Sequence, residues 1–338
     1  MTSKVRWGLL STANINKALI GPIRAAQRSE LVAVASRDAA KAKAYAVEQN
    51  IPKAFGSYEE MLADPNIDAI YNPLPNTLHG EWTIKAADAG KHVLCEKPLV
   101  TTLAELDAVE TAAQRNQVTI FEAFMYLHHP QTLKVQDLVR NGELGTIQQI
   151  NSWFHFYLPA ERATNIRLNA TLHGGSMWDV GVYPNSVSLV LGAAGGAGEL
   201  PQEVFANRII GESGVDVAMR AQLNFANGLV AQISSGIRTP FREGLHIVGD
   251  QASLQVIEPW KPGLTGKESQ CLLVRNNGQQ STITTPIMDP YLCEVEAMER
   301  CILDGAAPVV SLSLSRNFLR SALAIHQSAA SGQVVKLS

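Results

Sequence analysis

Lys97 is the residue whose setting in this chain most clearly suggests chemistry. It lies in the segment HVLCEKPL, residues 92–99, where an apolar run ends at Pro98. The run predicts the end of a buried parallel strand, because proline cannot continue the ladder and favours an extended residue before it. The amine would then stand at the carboxyl end of a strand, the edge at which open α/β sheets bind ligands. The alternative is a solvated lysine at a strand end, the common state of lysine side chains.

The elements that must position Lys97 form a regular alternation in the N-terminal third of the chain. Apolar runs predict strands over 5–10, 31–35, 53–55, 69–72, 92–96 and 118–123. Helical spacing predicts helices over 15–26, 39–49 and 77–89, and two further helices opened by the capping boxes Ser57 with Glu60 and Thr102 with Glu105. Strands that are apolar throughout and alternate with helices predict a parallel sheet covered on both faces.

After Phe124 the pattern changes to long alternating strands. Residues 217–225 alternate apolar and polar side chains, and Asn227-Gly228 then predicts a tight hairpin, as Asn277-Gly278 does later. Helices are predicted over 292–303 and 315–329, the last packing back on the body. The fold class is therefore α/β: a Rossmann domain over 1–124, then an α+β domain over 125–338 with a large, mostly antiparallel open sheet. That sheet's polar face is either solvated or a dimer surface.

The turn after the first strand is a degenerate dinucleotide fingerprint. In GLLSTANIN, residues 8–16, the glycine positions hold Ser11, Ala13 and Asn16. Serine and alanine are small enough for close approach to a pyrophosphate at a helix N-terminus, although the turn could also be a simple strand–helix connection. The expected cofactor contacts in this turn are Ser11, Thr12, Ala13, Asn14 and Ile15.

The end of the second strand bears on the choice of cofactor. Ser36-Arg37 stands where NAD-specific proteins carry an acidic residue for the ribose 2′-hydroxyl. Arg37 can instead bind a 2′-phosphate bidentately, and Lys41 adds a second charge one helical turn away. Asp38 qualifies this, because it could be a helix cap. NADP(H) is therefore predicted over NAD(H), with NAD(H) as the alternative.

Composition excludes several functional classes. The 338 residues carry a net charge of −3, which gives no reason to expect a nucleic-acid or membrane-surface partner. The four cysteines lack CxxC spacing and indicate reduced thiols in a cytoplasmic protein, and no signal-peptide core precedes the first strand. The adjacent His128-His129 pair lacks ligand spacing, so no metal is expected.

With these features together, the chain resembles the Gfo/Idh/MocA oxidoreductase family, in the branch of dihydrodiol dehydrogenase and NADP-dependent D-xylose dehydrogenase. The resemblance rests on four motifs: Pro75-Asn76-x-x-His79, Cys95-Glu96-Lys97-Pro98, Glu122-Ala123-Phe124-Met125-Tyr126, and Gly174-Gly175-x-x-x-Asp179-x-Gly181-x-Tyr183. It implies a cis Lys97–Pro98 peptide and a lysine beside the nicotinamide and the substrate hydroxyl. It also implies further cofactor contacts at Pro73, Leu74, Asn76, His79, Glu96 and Lys97, although His79 could simply be a residue at the start of a helix.

The resemblance pairs Lys97 with Tyr183 as catalytic residues. A helix beginning near Ser176 would put Asp179 and Tyr183 on one face. Tyr183 could be the acid/base, its phenol pKa lowered by the Lys97 ammonium, or Lys97 could polarise the oxygen while Tyr183 only positions it. Asp179 is expected to orient the substrate or Lys97, or else to interact with the helix dipole. Phe156 and Arg167 are expected to bind substrate with these three, and Asn185 could also line the pocket, although each could be structural.

The predicted function is NADP(H)-dependent hydride transfer to or from a hydroxyl or carbonyl carbon of a sugar or sugar-like polyol. Aromatic residues make up 6% of the chain, which slightly favours a small polar substrate over a large aromatic one. The alternatives are a trans-dihydrodiol dehydrogenase and a non-catalytic NADP-sensing regulator. A homodimer through the C-terminal sheet is expected, as in relatives.

Overall fold

The computed structural model describes residues 4–162 and 164–337. These residues form two units. The first contains the described residues up to His128 together with Asp289–Ser315, and the second contains His129–Met288 and the residues from Arg316 onward. The predicted boundary at residue 124 lies close to the first division of the chain. It placed Asp289–Ser315 in the wrong unit, however, because that segment returns to the first one.

The first unit is built on a six-stranded sheet in the order β3-β2-β1-β4-β5-β6. Its strands are β1 (Val5–Leu10), β2 (Ser29–Ala35), β3 (Lys53–Phe55), β4 (Ala69–Asn72), β5 (His92–Cys95) and β6 (Ile120–Glu122). Every pair in this sheet is parallel. This is the doubly wound order of a Rossmann fold, with its switch point between β1 and β4. The sequence prediction of a parallel Rossmann sheet is confirmed.

Helices alternate with these strands. They are α1 (Asn16–Ala25), α2 (Ala39–Glu48), α3 (Tyr58–Leu62), α4 (Asn76–Asp88) and α5 (Leu103–Asn116). The two predicted capping residues begin their helices: Ser57 Oγ accepts the Glu60 N–H, and Thr102 and Glu105 form a complete capping box. A further helix of this unit, Pro290–Asp304, packs against α1 and β1. That packing explains why the segment belongs to the first unit.

The second unit is built on a nine-stranded sheet in the order β14-β13-β12-β11-β7-β10-β9-β8-β15. Its strands are β7 (Ile147–Tyr157), β8 (Glu203–Ile210), β9 (Asp216–Asn224), β10 (Val230–Gly236), β11 (Arg238–Gly249), β12 (Ala252–Val256), β13 (Ser269–Arg275), β14 (Gln280–Thr285) and β15 (Val335–Lys336). β7 and β10 are parallel, and the other pairs are antiparallel. The two hairpins predicted at Asn227-Gly228 and Asn277-Gly278 join β9 to β10 and β13 to β14. The mostly antiparallel sheet is therefore confirmed.

The remaining helices are α6 (Pro130–Arg140), α7 (Val182–Ala194), α8 (Pro290–Asp304, of the first unit) and α9 (Leu312–Ser331). A π-helix, Met177–Gly181, leads directly into α7. Helix α7 is buried from Val182 to Gly192 and packs against β7 and β10, so it is the central helix of the second unit. Helix α9 meets it where the Asn185 amide donates to the Phe318 carbonyl.

The described residues contain neither a membrane-spanning helix nor a cluster of metal-ligating side chains. No helix within residues 4–162 and 164–337 is both long enough and apolar enough to cross a bilayer. In the same part of the chain, no three His, Cys, Asp or Glu side chains lie close enough together to hold a metal ion.

Candidate active site

The predicted cofactor residues of the first unit follow strands that run in one direction. Their segments begin after β1 at Ser11, after β2 at Ser36, after β4 at Pro73 and after β5 at Glu96. Because the sheet is wholly parallel, these four strand ends lie at the same edge. The structure therefore places the predicted phosphate turn, Arg37 and Lys97 at one edge of one sheet.

The turn after β1 has the backbone of a phosphate-binding turn despite its missing glycines. Ser11 adopts a left-handed φ of +81°, the conformation that glycine usually supplies. The turn is fixed because the Ser11 N–H donates to Ala35 O at 3.0 Å and Asn16 Nδ2 donates to Ser11 O at 2.9 Å. Asn16, the first residue of α1, thus links the turn to the helix.

The N–H groups of this turn are available to a ligand. Helix α1 begins without a side-chain cap at Ile15. Among the described residues, no acceptor faces the N–H groups of Thr12, Ala13, Asn14 and Ile15. Unpaired N–H groups at a helix N-terminus are the donor set that binds a phosphate, so the turn fits the pyrophosphate of a dinucleotide.

The segment after β2 is arranged as a cationic surface with a separate helix cap. Asp38 caps α2, because its carboxylate accepts the Lys41 N–H at 3.1 Å. The buried Ser36 hydroxyl accepts the Asp38 N–H at 3.2 Å. Arg37 and Lys41 are exposed. Arg37 also lies beside Tyr58, where it opposes the burial that raises the pKa of the Tyr58 phenol. The Asp38 charge is thus engaged by the helix, and the two cations remain at the surface.

Lys97 lies in a turn whose neighbours are firmly held. The Lys97–Pro98 peptide is cis, as the family resemblance implies, and the Lys97 side chain is half-buried. The preceding residue, Glu96, accepts a 2.5 Å hydrogen bond from the Tyr71 hydroxyl. Burial, and then the Glu96 carboxylate, raise the pKa of Tyr71 well above 10, so the phenol keeps the proton that it donates. The Glu96 side chain is therefore engaged in positioning the end of β5.

His79 is not placed as a hydrogen-bonding cofactor ligand. Its side chain is buried, with Nδ1 at 2.7 Å from Pro98 O and Nε2 at 2.6 Å from Leu74 O. Both ring nitrogens thus face backbone carbonyls, and neither is left for a ribose hydroxyl. Of the other predicted contacts in this motif, Asn76 is the half-buried first residue of α4, and Pro73 and Leu74 are buried in the turn before it.

Glu122 is a residue of this edge that the sequence analysis quoted in a motif without assigning a role. It lies opposite Cys95 in the β5–β6 ladder. Burial raises the pKa of its carboxyl to about 7, and the Leu99 N–H and the nearby Lys97 ammonium act in the opposite direction. The sequence signal that could have pointed to Glu122 is its position as a charged residue at the end of a short apolar strand.

In the second unit, the segment with Asp179 and Tyr183 begins as a π-helix. The predicted helix near Ser176 exists, but its first turns are wider than an α-helix because π-helices bond residue i to i+5. Its N-terminus is capped by the buried Asp216, which accepts the Ser176 hydroxyl at 2.6 Å and the Met177 N–H at 2.8 Å. π-Helical turns are frequent at functional sites, and this one carries Asp179 and leads directly into α7, whose second residue is Tyr183.

Tyr183 lies in an aromatic cluster that the low aromatic content did not predict. Its ring is 5.4 Å from that of Phe154, edge-on, and 5.6 Å from that of Trp260. All three side chains are buried, and the half-buried Phe156 lies on the same strand face as Phe154. Phe241, which is 66% exposed, packs edge-on against Phe154. The predicted catalytic phenol therefore contacts two buried aromatic rings, and Phe241 extends the cluster through Phe154.

Asp179 is paired with another predicted substrate residue. Arg167 Nε donates to Asp179 Oδ2 at 2.6 Å. Asn185, in contrast, is buried and used within the fold, because its Nδ2 donates to Phe318 O and its Oδ1 accepts the Ser321 hydroxyl. Asn185 is therefore a structural residue that links α7 to α9.

Comparison with known proteins extends these observations. Residues 5–124 match the GFO/IDH/MocA oxidoreductase family with its NAD-binding Rossmann fold, and residues 132–255 match the C-terminal domain of that family. The chain is 38% identical to D-xylose 1-dehydrogenase (NADP(+)) 2 of Haloferax volcanii over 98% of this chain and 99% of that protein. It is 30% identical to trans-1,2-dihydrobenzene-1,2-diol dehydrogenase of Danio rerio over 89% of each.

A solved structure agrees over both units. A 3-ketoreductase from Actinomadura kijaniata, in complex with NADP and TDP-benzene, is similar with a TM-score of 0.85 and 27% identity, covering 96% of this chain and 98% of that one. The two family matches together cover the Rossmann sheet, the Lys97 turn and the segment with Asp179 and Tyr183. This chain belongs to the Gfo/Idh/MocA oxidoreductase family.

Proposed function

We propose that this protein is an NADP(H)-dependent oxidoreductase that acts on a hydroxyl or carbonyl carbon of a sugar or sugar-like polyol. The observation that carries the proposal is the set of groups at one edge of the Rossmann sheet. There the unpaired N–H groups of residues 12–15, the exposed Arg37 and the half-buried Lys97 follow β1, β2 and β5. The N–H groups suit a pyrophosphate, Arg37 suits a further phosphate, and Lys97 suits a reacting oxygen.

The cofactor residues divide by the part of the dinucleotide that they suit. The turn Ser11–Ile15 would hold the pyrophosphate, and Ser36, Arg37 and Lys41 would hold the 2′-phosphate of the adenosine ribose. Pro73, Leu74 and Asn76 after β4, and Glu96 and Lys97 after β5, would border the nicotinamide end. When bound, the nicotinamide supplies the hydride acceptor or donor of the reaction. The NADP-dependent relative from Haloferax volcanii supports the preference for NADP(H).

The proton of the reacting hydroxyl is proposed to be handled by Lys97 and Tyr183. A secondary alcohol that loses hydride must also lose its hydroxyl proton, and an ammonium or phenol can exchange that proton or stabilise the oxygen. Tyr183 is held by Phe154 and Trp260, which fixes the direction of its phenol. Arg167, from the preceding 3₁₀ helix Ile166–Leu168, forms a charged pair with Asp179, and the two are proposed to bind polar groups of the substrate with Phe156.

A trans-dihydrodiol is the second candidate substrate, and the aromatic cluster favours it. Phe154 and Trp260 flank Tyr183, and Phe241 presents an exposed ring beside Phe154. Such surfaces accept a flat carbocycle through edge and face contacts. The dihydrodiol dehydrogenase of Danio rerio, at 30% identity, is consistent with this candidate.

We also propose a homodimer formed through the open face of the nine-stranded sheet, and a cytoplasmic location. Phe205 and Ile209 on β8 are 47% and 50% exposed and lie on one strand face, where apolar side chains suit a subunit contact. All four cysteines are free thiols, which suits a reducing compartment. Light scattering of the wild type and of the Phe205→Glu variant checks the dimer, since a monomeric wild type would refute it.

The experiment for the proposed function is a turnover screen with NADP(H) and NAD(H) against aldoses, ketosugars and trans-dihydrodiols. We expect NADP(H)-dependent turnover of at least one sugar or diol. Lys97→Met and Tyr183→Phe should each lose most of that turnover while keeping cofactor affinity, and Lys43→Met serves as a matched exposed control. Normal turnover in both variants would refute the catalytic roles. Tight NADP(H) binding without turnover of any substrate would instead favour the sensing function.

A further inference from the structure

One peptide group beside Lys97 is held at both of its polar atoms by buried side chains. The Pro98 carbonyl oxygen lies 2.7 Å from His79 Nδ1, which donates to it in the Nδ1–H tautomer, and the N–H of the same peptide group, on Leu99, donates to Glu122 Oε1 at 3.0 Å. His79 comes from α4 and Glu122 from β6, so two separate elements of the first unit contact this peptide. We call His79 and Glu122 the peptide clamp.

The α4 side of the clamp is fixed by close packing. His79 is 1% exposed, and its second nitrogen faces Leu74 O at 2.6 Å. The adjacent Gly80 approaches the chain just beyond Leu99, because a Cβ on Gly80 would stand 3.3 Å from Val100 Cγ1. The helix therefore touches the segment after Lys97 through both its imidazole and its backbone.

The β6 side of the clamp is fixed by the sheet. Glu122 pairs with Cys95 in the parallel ladder, and the Ala123 N–H donates to Cys95 O at 2.8 Å. On the other side of β5, the Glu96 N–H donates to Asn72 O at 3.0 Å. The chain is thus anchored by the ladder up to Glu96 and by the clamp from Pro98 onward, and Lys97 lies between the two anchors.

We propose that His79 and Glu122 are positioning residues that fix the Lys97 ammonium for proton exchange by holding the Pro98–Leu99 peptide group. This inference deepens the proposed function and rests on its catalytic role for Lys97. A side chain that must reach a reacting oxygen within a few tenths of an ångström needs a fixed Cα, and small misplacements cost large factors in rate. The clamp supplies that restraint to a residue in a turn outside the ladder.

The charge state of the clamp bears on its strength. Glu122 faces the Lys97 ammonium and the Leu99 N–H, and His79 faces two carbonyls with Lys97 and Glu105 nearby. An ionised Glu122 accepts the Leu99 N–H more strongly than a protonated one, because a charged acceptor strengthens the bond. The clamp should therefore tighten as Glu122 loses its proton.

Hydrogen exchange at the Leu99 amide tests the contact without any cofactor or substrate. In Glu122→Met the acceptor is lost, and we expect exchange at Leu99 to accelerate by about tenfold or more. Glu122→Gln keeps an amide oxygen as acceptor and should stay within roughly threefold of wild type. The Val93 and Leu94 amides of β5 serve as internal controls. Unchanged exchange at Leu99 in Glu122→Met would overturn the clamp.

Steady-state kinetics tests the consequence for Lys97. Glu122→Met and His79→Leu should each lower kcat by roughly 10- to 100-fold while the Kd for NADP(H) stays near that of wild type. The double variant should be little worse than either, because both residues hold one peptide group. His79→Gln, which keeps an amide donor, should recover part of the loss.

The outcomes separate this inference from the proposed function. If Lys97→Met loses turnover while Glu122→Met and His79→Leu do not, the clamp is refuted and the catalytic role of Lys97 stands. If Lys97→Met turns over normally, the proposed function itself fails. If Glu122→Met does not fold, Glu122→Gln provides the test. The kcat of the wild type should rise with pH through neutrality, and the kcat of Glu122→Gln should not change with pH in that range. An unchanged pH profile in Glu122→Gln would refute the clamp.

Discussion

Arg167 donates from Nε to Asp179 Oδ2 at 2.6 Å, so two residues predicted to bind substrate bind each other in the second unit. The Asp179 side chain is 14% exposed and that of Arg167 is 42% exposed. The carboxylate is thus the inner partner and the guanidinium the outer one. The pair positions an exposed cation on the segment that leads to Tyr183, a function that the sequence analysis divided between two separate residues.

Asp179→Asn and Arg167→Met should therefore have the same kinetic effect. Each should raise the KM for substrate by about tenfold, the loss expected when one charged hydrogen bond is removed. The double variant should resemble the single ones, because each change disables the same group. The free energy of unfolding should fall by only about 1 kcal/mol or less, since the Arg167 side chain is partly solvated. A KM increase in Arg167→Met alone would mean that Asp179 does not position it.

Arg37→Asp should reverse the preference for NADP(H). The change removes a bidentate phosphate donor and adds a carboxylate that repels the 2′-phosphate, so NADP(H) affinity should fall by about 10- to 100-fold. NAD(H) affinity should change little. Fluorescence titrations with both cofactors measure the two dissociation constants. Lys43→Asp, the same charge change at an exposed position within α2, the helix that follows Arg37, is the control. Unchanged NADP(H) binding in Arg37→Asp would contradict the assignment.

Asp216→Ala should weaken the segment that carries Asp179 and Tyr183. Asp216 is buried and accepts both the Ser176 hydroxyl and the Met177 N–H, so its loss leaves the Met177 N–H without its acceptor and the Ser176 hydroxyl with only Ser235 Oγ, 3.1 Å away. We expect the free energy of unfolding to fall by about 1–3 kcal/mol and kcat to fall with it. Denaturant titrations and steady-state kinetics measure the two effects.

The control for this prediction is Asp250→Ala. Asp250 is an exposed aspartate of the same unit that accepts the Thr146 N–H in another loop. Asp250→Ala should lower the free energy of unfolding less than Asp216→Ala does, because water can replace an exposed acceptor. Equal losses in the two variants would indicate that Asp216 has no special role at the π-helix.

Local signals in the sequence were sufficient for most of the fold. Thr102 and Glu105 are three residues apart and satisfy each other's backbone groups, so the start of α5 is encoded within four residues. Asn227-Gly228 likewise encodes the hairpin between β9 and β10 locally, because Gly228 adopts the positive φ of the turn and Asn227 Oδ1 accepts the Leu229 N–H. The parallel sheet was predicted from the alternation of such local units, whereas the order of its strands was not.

The parts that escaped prediction depend on contacts between distant residues. Glu122 binds the Leu99 N–H from 23 positions away, and Asp216 binds Ser176 from 40 positions away. Nothing near either acidic residue in sequence specifies its partner. The π-helical hydrogen bonding of Met177–Gly181 and the return of α8 to the first unit are set by packing in the same way. His79 was predicted to contact the cofactor because of its place in the motif. The motif does not indicate the two backbone carbonyls that face its ring nitrogens.

Glu122 should give the stability of the protein a distinctive pH dependence. Burial raises the pKa of its carboxyl from 4.5 to about 7. Between these values the carboxyl is ionised in the unfolded chain and protonated in the folded one, so the free energy of unfolding falls as pH rises through this window. At ~1.4 kcal/mol per pKa unit, the contribution amounts to about 3 kcal/mol. Glu122→Gln removes it, so the variant should gain stability relative to wild type between pH 5 and pH 8. Denaturant titrations at pH 5 and pH 8 measure this gain, and the exposed Glu59→Gln is the control. If Glu122→Gln and wild type differ in free energy of unfolding by the same amount at both pH values, the prediction is contradicted.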